Sequence, residues 1–173
     1  MALQSAIILI GPINAGKSSI ARCLAERLGL PHVELDDLRW GYYSEIGYDQ
    51  AEAKRRVDAD GFWGLYRYWK PFEAHAVERL LADHPTGVLS FGAGHSVYED
   101  DALFERVRRA LEPFPNVVLL LPSPDLDESL AILIERGGPG PDIQPNINEH
   151  FLRHPSNGDL ARVVIYTQGR TPE

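Results

Sequence analysis

Gly11, Pro12, Ile13, Asn14, Ala15, Gly16, Lys17 and Ser18 form the pattern G-x-x-x-x-G-K-S/T. Residues of these types at this spacing suit one task, the cradling of a nucleotide's phosphates. The glycines let the chain wrap so that backbone N–H groups turn inward. A helix opening at the end of the loop adds the positive end of its dipole. The lysine reaches the β- and γ-phosphates, and the hydroxyl serves Mg2+. Lys17 and Ser18 take those roles here, and Gly11, Asn14, Ala15, Gly16 and Ser19 complete the nucleotide site. ATP and Mg2+ are the expected cofactors. No N-K-x-D is present, so guanine selection has no support. Asp58-Ala-Asp-Gly61 matches D-x-x-G in letters only, because it ends no strand.

Such a loop works only between a buried strand and a helix. Ala6, Ile7, Ile8, Leu9 and Ile10 form a short apolar run without alternation, the signature of a strand buried on both faces of a parallel sheet. A helix is predicted over Lys17–Leu28, stopped by Gly29 and Pro31. Further strands are predicted at 32–35, at Val88, Leu89, Ser90 and Phe91, at 117–121 and at 163–166. Helical patterns lie between them. One runs through Phe72, Ala76, Val77, Leu80 and Leu81, and another through Leu103, Val107, Ala110 and Leu111. A third starts at Ser123-Pro124 and includes Leu126, Leu130, Leu133 and Ile134. Strands alternating with helices, with the phosphate loop after the first strand, predict an α/β protein, a three-layer P-loop fold with a central five-stranded parallel sheet, in a single domain over 1–173.

Two stretches do not fit this alternation. Residues 36–69 are polar and aromatic, which suits a binding segment or a helical subdomain with an aromatic core of its own. Residues 137–145 alternate Gly and Pro, which predicts a lid without helix or strand. Thr171, Pro172 and Glu173 read as three helix-start signals in a row and predict one more helix beyond residue 173.

Composition bounds the class. The chain has 173 residues, 44% of them apolar, enough for a full hydrophobic core. A net charge of -8 argues against nucleic acid as a partner. The single cysteine, Cys23, has no internal partner and fits a reducing compartment. No apolar run is long enough to span a membrane, and residues 1–3 show no signal peptide, so a cytoplasmic location is expected.

The stretch ILIGPINAGKSSIARCLAERLGLPHVELDDL resembles shikimate kinases, and more broadly the small-molecule kinases built like nucleoside monophosphate kinases. Trp69-Lys70-Pro-Phe-Glu73 resembles that family's F-R-x-x-E, and Phe91-Gly92-Ala93-Gly94 its strand followed by G-G-G. Arg153-His-Pro155 with Leu160-Ala161 resembles its R-x-P-L-Y…A stretch. The resemblance implies transfer of the γ-phosphoryl group of ATP to a small hydroxyl-bearing acceptor. It implies that Glu34 serves Mg2+ together with Ser18, and that Asp36 contacts the acceptor and aligns its hydroxyl, with Asp37 a further candidate. It implies that Lys70, Gly92, Ala93, Gly94, His95 and Arg153 border the acceptor. The family's lid arginine has no counterpart, since 137–152 contains no Arg or Lys; Arg136 could substitute or bind the adenine side. Lys70 stands for an arginine and Ala93 for a glycine, which predicts an altered acceptor. The alternatives are a phosphotransferase acting on a nucleoside, sugar acid or antibiotic, and a nucleotide-binding module with little turnover. His150 and His154 are four apart, yet no third ligand stands at useful spacing, so they read as surface histidines.

Because the phosphate chemistry rests on one ammonium group, Lys17→Ala is expected to abolish measurable phosphoryl transfer and leave the circular dichroism spectrum unchanged. Wild-type turnover of this variant at saturating ATP would refute the assignment.

Overall fold

The apolar run at the start of the chain becomes β1 (Ile7–Ile10), in which Ile8, Leu9 and Ile10 are buried. The computed structural model describes residues 5–138 and 146–171. On one side β1 pairs in parallel with β3 (Val88–Ser90), and on the other with β4 (Asn116–Leu121). Next to β3 lies β2 (His32–Glu34), and next to β4 lies β5 (Val163–Tyr166). The sheet is five-stranded, all parallel, in the order β2-β3-β1-β4-β5. All strands therefore end on one edge, and the segments leaving β1, β2 and β3 are brought together there. The expected central sheet and its α/β fold are found.

Crossover helices supply the other layers. α1 (Lys17–Leu28) matches its predicted span and ends at Gly29 in the left-handed conformation. α4 (Asp101–Leu111) is capped by Asp100, whose side chain accepts from Leu103 N–H. α5 (Leu126–Glu135) is capped by Asp125, not by Ser123 as the sequence suggested. Ser123 instead accepts from Asp125 N–H and donates to Glu128, tightening the turn before the helix. Two short helices come after it, α6 (Ile147–Arg153) and α7 (Ser156–Leu160).

The aromatic stretch proves to be helical. α2 (Leu35–Glu45) begins directly at the end of β2, and α3 (Gln50–Asp83) runs back along it. α3 is kinked at Asp60 and Gly61, where Gly61 takes φ 57 and breaks the hydrogen-bond ladder. Tyr43, Tyr48, Tyr68 and Phe72 pack ring against ring with centroids 5.1–5.7 Å apart, within one hydrophobic cluster with the main core. The subdomain reading, with aromatics forming a core of their own, is thus only half right, since their core is continuous with that of the sheet. A second, smaller cluster of Tyr66, Ala93, Val97 and Phe151 joins α3 to α6 beside the strand ends. Of the expected lid, residues 139–145 lie outside the described residues, as does most of the helix-start signal at 171–173. The lid's described residues, Gly137 and Gly138, donate to the carbonyls of Ile134 and Leu133 at the end of α5.

Leu80 sits on α3 with no exposed surface, inside the main hydrophobic cluster. Leu80→Ala is expected to lower stability by about 2–5 kcal/mol, from lost apolar transfer plus an incompletely collapsed cavity. Urea unfolding measures it, and a loss within error of zero would show that α3 does not seal the core.

Candidate active site

The loop after β1 folds as its residue types require. Gly11 takes φ 138, and a Cβ there would meet the Leu120 carbonyl oxygen at 2.5 Å, so only glycine fits between β1 and β4. Gly16 takes φ 95 and Asn14 φ 62, which turns the loop over the start of α1. Lys17 is buried and its ammonium donates to the carbonyls of Gly11 at 2.9 Å and Pro12 at 2.7 Å. Burial pulls its pKa down to about 8, against the opposing pull of the Asp36 and Glu34 carboxylates. The lysine and both acidic side chains therefore share one electrostatic site. Ser18 Oγ donates to Glu34 Oε2 at 3.0 Å. A hydroxyl and a carboxylate at hydrogen-bond distance beside a phosphate loop are hard oxygen ligands, the donor set that Mg2+ selects.

Two of the cavities that border this loop bear on the ligands. One, of about 370 Å³, is lined by Asn14, Ala15, Gly16, Ser19 and Ile20 of the loop and by Arg136, Ile165 and Thr167. Arg136 donates to Thr167 Oγ1 at 3.3 Å, and its carbonyl accepts from the Asn14 side chain at 3.1 Å. Arg136 thus borders the outer end of the nucleotide loop and does not line the second cavity.

The other cavity, of about 280 Å³, lies beneath α2, α3 and α6. Asp36, Gly92, Ala93, Gly94 and His95 all line it, as the sequence suggested. Glu34 ends β2 and Asp36 lies in the first turn of α2, so the single residue Leu35 separates the carboxylate bonded to Ser18 from the one that lines the cleft. Asp36 caps no helix; the N-cap position is Glu34, without a side-chain bond.

Two residues expected at the acceptor are elsewhere. Lys70 is 5% exposed, with Nζ 2.5 Å from Glu73 Oε2, and it donates to Gly94 O at 2.9 Å and Val97 O at 3.0 Å. It also lies 4.1 Å from the centre of the Tyr66 ring. Its charge is consumed behind the cleft wall, because a buried ammonium must be neutralised and bonded where it stands. Arg153 is exposed on α6 and pairs with Asp127 and with Glu149 at 2.9 Å, outside the cleft. An acidic neighbour one turn back on its own helix and another on α5 outcompete the cleft for it.

Arg39 was missed. It is the one Lys or Arg lining this cavity among the described residues, placed there by its i+3 spacing from Asp36. Its guanidinium stacks on Trp40 at 4.6 Å and touches Asp36 at 3.4 Å, while its buried Nε has no protein partner among the described residues. Helical spacing from Asp36 was the signal that could have found it. Asn148 of α6 was missed too. It is fully buried, accepts from Ile13 N–H at 2.7 Å and donates to Ile13 O at 3.2 Å, which ties α6 to the phosphate loop.

The two histidines do have a third neighbour, which corrects the sequence reading. Glu99 Oε1 lies 2.6 Å from His150 Nε2 and 4.0 Å from His154 Nε2. Desolvation opposes ionisation of Glu99, but hydrogen bonds from His150 and Tyr66 prevail and hold its pKa at about 2. His154 Nδ1 accepts from Ser156 N–H at 3.2 Å, so its Nε2 carries the proton and offers no lone pair to a metal. The cluster is a hydrogen-bonded latch between α6, α3 and the Glu99 loop.

Known proteins share this build. The chain matches no protein-family model. It is 31% identical to shikimate kinase of Streptomyces coelicolor over 96% of its length and 88% of that protein's. It is 30% identical to shikimate kinase of Streptomyces avermitilis, again over 96% and 88%. The fold overlays the shikimate kinase of Acinetobacter baumannii in complex with shikimate with a TM-score of 0.62, at 20% identity, over 97% of this chain and 86% of that one. For shikimate kinase from Aquifex aeolicus the TM-score is 0.55, at 18% identity, over 96% and 88%. With its phosphate loop, its carboxylates at the end of β2 and its glycine turn after β3 in the same order, the chain belongs to the shikimate kinase family.

Proposed function

We propose that this protein is an ATP-dependent kinase that phosphorylates a hydroxyl of a small metabolite other than shikimate. The observation that carries the reading is the cluster beside the loop, where Ser18 Oγ donates to Glu34 Oε2 at 3.0 Å next to the buried Lys17, with Asp36 on the adjoining cleft. Backbone N–H groups of the Gly11–Ser18 loop and the Lys17 ammonium would hold the phosphates of ATP. Ser18 and Glu34 would hold Mg2+, which neutralises charge building on the phosphates when bound. Asp36 orients the acceptor's hydroxyl and takes its proton.

The acceptor end supports a changed substrate. Lys70 and Arg153 are both engaged with carboxylates, so neither faces the cleft with a free charge. Arg39 is the cation that remains available there. Ala93 adds a methyl group to the wall beside Gly92 and Gly94. A second reading, a nucleotide-binding module with little turnover, is favoured by one observation. Arg136 and Arg153, which could have replaced the absent lid arginine, both point to partners outside the acceptor cleft.

A coupled assay of ADP release over a panel of hydroxy acids, sugars, nucleosides and aminocyclitols separates these readings. Turnover at least about tenfold faster with another acceptor than with shikimate is expected, roughly the effect of one lost charge-assisted hydrogen bond. Shikimate as the fastest acceptor would overturn the altered specificity, and no acceptor at all would favour the binding module.

The nucleotide end has its own test. Lys17 is largely neutral above about pH 8 in the free protein. Its lowered pKa means that the unfolded chain binds more protons between about 8 and 10.5, so this group makes the free protein more stable as pH rises through that window. Phosphates reverse the shift by favouring the charged form. Binding of MgATP at pH 8.5 is therefore expected to take up protons, measured by calorimetry in buffers of different ionisation enthalpy. Lys17→Arg, always charged, should bind without that uptake. Equal heats in all buffers for the native protein would show that Lys17 is already charged.

A further inference from the structure

At Gly92 the cleft wall has no room for a side chain, because two polar atoms converge there. A side-chain carbon at Gly92 would stand less than 3 Å from both Asp36 Oδ1 and His95 Nδ1. These atoms come from different elements, one at the start of α2 and one in the 3-10 turn Ala93–Ser96, and both residues line the acceptor cavity. His95 is 1% exposed, and its Nδ1 has no protein partner among the described residues. A buried ring nitrogen without a partner is costly, and it is kept where a ligand supplies the partner. The other ring nitrogen is already engaged, with Tyr43 Oη 3.5 Å from Nε2.

Tyr43 decides which nitrogen holds the proton. It is 1% exposed, and among the described residues Nε2 is the one acceptor within reach of its hydroxyl, so only donation to Nε2 satisfies the buried O–H. A phenol donating to Nε2 leaves the ring proton on Nδ1. Burial also lowers the His95 pKa, against the pull of the Glu73 and Asp36 carboxylates, so the ring carries a single proton. That proton lies on the Gly92 side of the ring, where Asp36 Oδ1 also converges.

We propose that the attacking hydroxyl of the acceptor meets these two atoms from the cavity, donating its proton toward Asp36 and accepting a hydrogen bond from His95 Nδ1–H, with Tyr43 fixing the ring tautomer. The inference rests on the kinase reading above. A hydroxyl has one proton and two lone pairs. Asp36 takes the proton, His95 takes one lone pair, and a single lone pair is left to meet phosphorus in line. In the transfer, the oxygen–phosphorus bond to the acceptor forms and the bond from the γ-phosphorus to the β–γ bridging oxygen breaks. ADP leaves with that bonding pair, and the hydroxyl proton ends on the Asp36 carboxylate. His95 keeps its own proton throughout. His95 is therefore a contact residue for the reacting oxygen, and Tyr43 a positioning residue acting through it.

The test has two arms on the full-length protein. Nitrogen-15 NMR of the His95 ring is expected to report protonated Nδ1 in the native protein and a mixture of tautomers in Tyr43→Phe. A native ring protonated at Nε2 would overturn the proposal. The second arm measures kinetics with shikimate and gluconate as probe acceptors, and with whichever panel acceptor is fastest. His95→Asn keeps an amide group where Nδ1 stood, and His95→Gln keeps one where Nε2 stood. His95→Gln and His95→Phe are expected to lose on the order of tenfold or more in kcat/KM for the acceptor, with KM for ATP unchanged. His95→Asn should recover most of that loss. Recovery by Gln instead of Asn, or equal losses in all three variants, would reduce His95 to a packing residue. If the native protein phosphorylates nothing, the kinase reading fails and this inference with it; if it is active and the ring is protonated at Nε2, only this inference fails.

Discussion

A buried ion pair organises the acceptor side of this molecule. Lys70 and Glu73 are one helical turn apart on α3, 5% and 4% exposed, and 2.5 Å apart. Removing either partner of such a pair leaves an uncompensated buried charge, a cost of about 3–5 kcal/mol. The pair is also a brace. Lys70 ties down the carbonyls of Gly94 and Val97 and so fixes the 3-10 turn that carries His95. Glu73 stands where a side chain at Gly94 would go, since a Cβ there would meet its Oε1 at 2.6 Å. The glycine turn, the histidine and the cleft wall all take their positions from this interaction.

The same brace explains why a family resemblance carried further for mechanism than for substrate. The phosphate end is built from backbone N–H groups, one lysine and one hydroxyl, all in eight consecutive residues. A local pattern of that kind is complete in the sequence itself. The acceptor end is assembled from α2, α3, the turn after β3 and α6, so its charge balance depends on pairings that no local pattern reveals. Lys70 stands at the family's arginine position, yet its ammonium is spent on Glu73 and two carbonyls.

Legibility tracked the range of the interactions. The span of α1 and all five strands could be read from apolar runs and glycine stops, because those signals are local and strong. The helices through the aromatic stretch could not be delimited. Their moment is blurred by aromatics that pack on both α2 and α3, and Gly61 interrupts the period in the middle of α3. Asp36 was found by resemblance, whereas Arg39 needed only the step of placing Asp36 on a helix and counting three residues on. Glu99 could not be found at all. It is 51 residues from His150, and only the fold brings that carboxylate to the ring.

The two ends of the site also differ in how they hold charge. At the phosphate end Lys17 is buried against carbonyls with its pKa lowered, an arrangement stabilised when anions arrive. At the acceptor end the charges are already paired, Lys70 with Glu73 and Arg39 with Asp36, while Arg39 Nε and His95 Nδ1 have no partner among the described residues. A ligand entering the first end relieves an unfavourable charge, while one entering the second must exchange existing partners. Under the proposed reading acceptor binding is selective, because a molecule gains from entering only if it makes up for the Arg39–Asp36 contact it disturbs and pairs Arg39 Nε and His95 Nδ1.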